Sequence, residues 1–303
     1  MSNDHFVPQH FLRAWAIDPE KKKLFGYQRI QQTNEIKFKE RSIISTASAK
    51  DLYQISDGVQ KAEFETRVMT EAVDTPMSAV VAKLRTIGLE RLGQCDRELL
   101  ARYITILEAR NPRVIEQMML SDVDLAKIMA EQLKFQVSPD AVAYVGKFMK
   151  SILPSSGKAA AGMFAGWGHG IDSTALLKKG WIEVNRSDGG TFLSSNYPVG
   201  RHGKYEDENS IISLAISPEK GLLFIPNDLQ DTFQNSPVCE LSKMIDLFTL
   251  ARATEAYSIS SLPNMFVMDH LGWMLWTDEK KYSEYARVAL AAPIDQTRQP
   301  TKS

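Results

Sequence analysis

The hydrophobic period changes twice along this chain, and that change constrains the fold more than any single motif. Residues 23–30, 35–44 and 51–55 alternate polar with apolar or aromatic residues, which predicts short strands. Gln31 to Asn34 reads as the turn between the first two. From Gln60 to about Leu89, apolar residues fall at Phe64, Val68, Ala72, Val73, Val80, Val81 and Leu84, which is helical spacing, with Pro76 as a kink or a break between two helices. Asp96 reads as the cap of a second helix with the stripe Leu99, Leu100, Tyr103, Ile104 and Leu107, bent or broken at Pro112. Helical patterns continue through 113–136, and Ser138-Pro139-Asp140 opens another helix ending near Leu153-Pro154.

Strand signals then return. Residues 180–186 and 190–195 read as a hairpin through Ser187-Asp188-Gly189, and 211–216 and 221–225 as another through Ser217 to Lys220. A helix is expected from about Glu240 to Tyr257, and a last short one over 281–291. Strands segregated from helices predict an α+β fold: short N-terminal strands, a central helical block, a second strand set and a late helix. One mixed or antiparallel sheet packed on helices is expected. The expected organisation is a single domain over 1–292 with a disordered tail over 293–303. A sub-division near 155–170 is the alternative. That stretch holds glycines at 157, 162, 166, 168 and 170 and reads as a mobile loop, a candidate lid.

Charge and composition exclude some classes of function. Thirty-six basic against 37 acidic residues give a net charge of −1, unlike a generally basic nucleic-acid binder. With 303 residues, 44% of them hydrophobic, the chain can bury a core without disulfides or a structural metal. No apolar run reaches the roughly 20 residues of a bilayer span, and the start lacks the pattern of a secretory signal. Cys95 and Cys239 read as two reduced, buried thiols, and the cytoplasm as the compartment.

Familiar catalytic motifs fail. Gly157-Lys158 is followed by Ala159, so there is no phosphate loop, and the glycines at 166, 168 and 170 follow no strand. No Gly-x-Ser-x-Gly or His-Glu-x-x-His occurs. His5 and His10 would sit about 140° apart on one helix, so they share no face. Taken singly, the histidines, the Glu63–Glu71 cluster and Arg102 with Arg110 read first as surface or structural groups. The tryptophans read as core or interface anchors.

The opening His5-Phe6-Val7-Pro8-Gln9-His10-Phe11-Leu12-Arg13 is distinctive. It resembles the bacterial domain of unknown function 4238 family, whose members begin with a His-x-Val-Pro-Gln-x-Tyr-Leu type of motif. Asp51-Leu52-Tyr53 is similar to an aromatic-ended strand of that family, Glu65 to Glu71 to a paired-glutamate helix, and Arg110-Asn111-Pro112 to an Arg-Thr-Pro corner. Ser194 to Val199 is similar to Thr-Ser-Asp-Asn-Pro-Val, and Arg252 to Ser258 to a closing helix and serine. The resemblance spans about residues 5 to 260. Asn196 stands where the family usually has aspartate. If that aspartate is catalytic, this chain is altered there; if it caps a turn before Pro198, asparagine replaces it readily.

The resemblance implies no established activity, but it picks out polar residues suited to a site. The expectation is convergence on one pocket. His5, Glu71 and Asn196 would be its catalytic groups, with His5 as general base or metal ligand. Gln9, Arg13, Arg110 and Ser195 would contact substrate, Arg13 or Arg110 as anion clamp. The first reading is an intracellular enzyme on a phosphate-bearing substrate, nuclease-like, in phage defence or a mobile element, with a divalent metal left open. The second is a sensor or binding module for a small anionic ligand or a protein. The third is an assembly component forming homo-oligomers.

Overall fold

In the computed structural model, residues 3–18, 20–30, 32–50, 52, 70–71, 73–112, 173–187, 189–205 and 207–275 are described. They divide into two compact units. The first draws on residues 1–8 and 47–177, the second on residues 9–46 and 178–303. The helices expected over 113–136, 138–153 and 281–291, the glycine loop at 155–170, Glu65 and the tail lie outside the described residues.

The first unit pairs β1 (Asn3–His5) antiparallel with β4 (Ser48–Lys50), with His5 opposite Ser48. Its helices follow the stripes read from the sequence. In α2 (Thr75–Ile87), Met77, Val80, Val81 and Leu84 are buried at i, i+3, i+4 and i+7. Pro76 sits in the first turn of α2, directly after the π-helical residues 73–74. Helix α3 (Gln94–Ala109) buries Leu100, Tyr103, Ile104 and Leu107 and packs on both α2 and α4 (Ser173–Leu177). Asp96 is the third residue of α3, not its cap. Its carboxylate reaches back to the Gly93 N–H (3.3 Å) and pairs with Lys83 of α2.

Among the described residues the second unit holds two four-stranded antiparallel sheets. In one the order is β3 (Ile36–Ser42), β2 (Lys23–Arg29), β10 (Glu255–Ser258), β6 (Ser194–Ser195). In the other it is β5 (Gly180–Asn185), β9 (Lys220–Ile225), β8 (Ile211–Ala215), β7 (Val199–His202). After the short α5 (Gln230–Gln234), helix α6 (Val238–Ala251) packs on the second sheet through Leu241, Ile245 and Phe248. Gly200 permits this approach, because a Cβ there would lie 2.5 Å from that of Phe248. Short α1 (Gln9–Leu12) and the 3-10 turn Arg13–Trp15 bury Phe11, Leu12 and Trp15 completely. The Trp15 indole N–H donates to Phe192 O at 2.9 Å.

The fold is α+β, but the described strands form three antiparallel sheets instead of one. The split is clear where β6 and β7, separated only by Asn196 to Pro198, enter different sheets. The hairpin expected between 180–186 and 190–195 does not form: β5 pairs with β9, and Ser194–Ser195 pairs with β10. Side chains replace the missing ladder. Arg186 donates to Thr191 O (2.9 Å) and to Asp246 (2.7 Å), and Asp246 accepts the Leu193 N–H (2.9 Å). The late helix ends at Ala251, because residues 255–258 fill the strand position between β2 and β6. Both cysteines are free thiols, yet exposed, each in the first turn of a helix.

Candidate functional site

In the first unit, Arg110 ends α3 and is only 6% exposed. Its guanidinium forks onto Asp74, Nη1 to Oδ1 at 2.7 Å and Nη2 to Oδ2 at 3.5 Å, and Nη2 also donates to the His5 carbonyl at 3.0 Å. Asp74 is the residue before α2, and its carboxylate turns to Arg110 instead of capping its own helix. One cation therefore ties the end of α3 to the start of α2 and to β1. The two sequence motifs do meet, but through the backbone of His5 and not its ring. The anion that Arg110 holds is the protein's own. Beside it the buried Tyr103 phenol has its pKa pushed well up, first by burial and then by the Asp74 charge, against Arg110 and Arg85. Glu71 lies exposed in the π-helical turn ahead of α2.

The remaining sequence candidates belong to the second unit. Gln9 is half-buried at the start of α1, and Arg13 is exposed on the turn that buries Trp15. Ser195 is fully buried; its hydroxyl donates to Thr249 O (3.0 Å) and accepts the Tyr197 N–H (3.0 Å). Asn196 is half-buried. Its Oδ1 accepts the N–H groups of Thr254 (3.0 Å) and Glu255 (3.1 Å), its Nδ2 donates to Thr254 Oγ1 (2.8 Å), and its own N–H bonds Glu255 O (3.1 Å). This is the geometry of a turn clamp. A carboxylate would serve equally well, accepting both N–H groups and the threonine hydroxyl, so aspartate and asparagine are interchangeable for this purpose.

Thr254 also lines a cleft of about 270 Å³ together with Gln28, Arg29, Ile30 and Gln32. These residues come from the end of β2 and the turn after it, where Asn34 has φ 58°. Arg29 is half-buried and held in place: Nε donates to Leu271 O at 2.7 Å, and Nη1 bonds Asn34 through its backbone and side-chain oxygens. Burial lowers its pKa. Among the described residues no carboxylate faces it. Sequence reasoning passed over this group, because Gln28 and Arg29 look like ordinary members of an alternating strand. The available signal was an arginine and two glutamines bracketing a turn.

Among the described residues no group of three His, Cys, Asp or Glu side chains is arranged to hold a metal ion. No helix among them is long and apolar enough to cross a membrane. The model of the family described as Protein of unknown function (DUF4238) matches residues 3–238, and the chain belongs to that family. The match ends before Arg252 to Ser258, so that part of the resemblance stands outside it. Neither the curated proteins nor the solved structures give a match.

Proposed function

We propose that this protein is a non-enzymatic binding module for a small anionic ligand, seated in the cleft beside Arg29. The observation that supports it is a half-buried guanidinium, fixed by Leu271 and Asn34 and lining an open polar cleft with no carboxylate against it among the described residues. A cation partly withdrawn from water and already oriented binds an anion better than a mobile surface arginine. Gln28, Gln32 and Thr254 add amide and hydroxyl groups that orient a ligand, and none of the five lining residues is acidic. A cytoplasmic setting belongs to this reading, supported by the free thiols of Cys95 and Cys239.

Thermal shifts of the full chain against inorganic phosphate, pyrophosphate and citrate test the reading. Stabilisation by at least one of them, lost in Arg29→Gln, is expected. Incubation with DNA and RNA in magnesium, manganese and zinc is the second arm, and no cleavage is expected. Cleavage would transfer the reading to a nuclease-like hydrolase of phage defence or a mobile element.

A further inference from the structure

We infer that the free edge of β3 is a docking site for an acidic extended segment of another protein, added as a fifth strand. This edge lies one strand away from the Arg29 cleft, with Ile36 opposite Arg29 and Lys37 opposite Gln28, and the inference does not rest on an anion being bound there. Among the described residues β3 stands outermost in its sheet, paired only with β2. The ladder between them is bracketed by two bonds at 2.8 Å, Ile30 N–H to Glu35 O and Ile43 N–H to Lys22 O. Antiparallel pairs alternate between bonded and non-bonded, so positions 35, 37, 39, 41 and 43 bond to β2. The N–H and C=O groups of Ile36, Phe38 and Glu40 therefore point outward, and they carry no hydrogen bond among the described residues. The Ser42 carbonyl, which takes the hydroxyls of Ser45 and Thr46, closes the row at one end.

The side chains specify what fits. Lys37, Lys39 and Arg41 share one face of β3. Arg41 is held by Glu255 at 2.9 Å, and on the other face Glu40 is held by Lys23 at 2.8 Å. Lys37 and Lys39 are exposed and pair with no carboxylate among the described residues. The opposite face carries the half-buried Phe38, 5.5 Å from Phe25 and 4.6 Å from Tyr27 between ring centroids. A strand bonded to Ile36 and Phe38 would set its own residues in the close, non-bonded positions opposite Lys37 and Lys39. Acidic residues belong at those positions, and apolar residues at the alternate ones beside Phe38. A second copy of β3 would place lysine against lysine or arginine, so the charges that block self-pairing also select an acidic partner.

The test is fluorescence anisotropy of the full chain with a labelled peptide of alternating glutamate and valine, matched to the 7 residues of β3. Saturable binding is expected. It should weaken about tenfold or more in Lys37→Glu/Lys39→Glu, and likewise for a peptide with the same residues in two blocks. N-methylation of alternate peptide bonds should abolish it. Lys37→Gln/Lys39→Gln, which adds no charge, gives an intermediate loss and guards against misfolding of the first variant. The inference is overturned by no saturation with the wild-type chain, by equal binding of a lysine–valine peptide or by unchanged affinity in both variants. A preference for labelled oligouridine, or dimerisation of the chain through this edge in sedimentation velocity, overturns it too.

Discussion

Asn196 and Thr254 are bonded to each other twice, the amide oxygen accepting the threonine N–H at 3.0 Å and the amide nitrogen donating to the threonine hydroxyl at 2.8 Å. These residues are 58 positions apart, and the pair fixes the turn after β6 to the start of β10. Thr254 also lines the Arg29 cleft, and its carbonyl accepts the backbone N–H of Arg29 at 2.9 Å. The position that sequence reasoning put forward as catalytic thus holds Thr254, a residue of the cleft wall.

Replacing Asn196 by alanine should cost about 2–3 kcal/mol, since it leaves the Thr254 and Glu255 N–H groups without their acceptor. Asn196→Asp should stay within about 1 kcal/mol of wild type, because a carboxylate accepts the same donors. Urea denaturation of the two variants checks this. Equal losses would mean that the clamp is not what position 196 does.

Arg110→Met should destabilise by about 3 kcal/mol, since it strands the Asp74 carboxylate and the His5 carbonyl. Asp74→Asn/Arg110→Met should recover part of the loss, because no charge is then left without its partner. A double-mutant cycle read by chemical denaturation measures the coupling. Additive losses would show that the fork contributes nothing as a pair.

The pH dependence has a definite sign at His270. Burial lowers its pKa below the ordinary 6.5, more than the bond to Phe266 O (2.7 Å) raises it. Between the folded-state pKa and 6.5 the unfolded chain binds more protons, so stability is full above 6.5 and falls as pH drops through that window. His270→Asn should flatten this part of the stability profile. A wild-type profile that rises on acidification through the same window would contradict it.

Gly200→Ala should lower stability by about 1–3 kcal/mol, because the new methyl meets Phe248, whose own Cβ and backbone cannot easily retreat. Thermal unfolding reads this directly. A melting temperature equal to wild type would show that α6 rides less tightly on β7 than the distances state.

What the sequence made legible was local and periodic. The hairpins of Lys23–Arg29 with Ile36–Ser42 and of Ile211–Ala215 with Lys220–Ile225 show in the alternation of their residues, because their registers join neighbours. The stripes of α2, α3 and α6 show for the same reason. The mixed opening motif resolves simply: Phe11, Leu12 and Trp15 are core, while Arg13 faces solvent. Ser194–Ser195 and Glu255–Ser258 were not legible as partners, being too short to display a period and joined only by tertiary pairing. Arg110 with Asp74, 36 positions apart, and Asn196 with Thr254 were hidden likewise. Arg29 could be read as an arginine, but not as a half-buried one with its Nε fixed on a carbonyl.

The most direct measurement is isothermal titration of pyrophosphate, phosphate and citrate into the wild-type chain and Arg29→Gln, with circular dichroism confirming that both are folded. Charge-assisted bonds from a fixed guanidinium predict saturable binding of at least one anion to wild type, about ten- to a hundredfold weaker in the variant. No saturable binding to wild type, or equal affinity in a folded Arg29→Gln, would contradict the account.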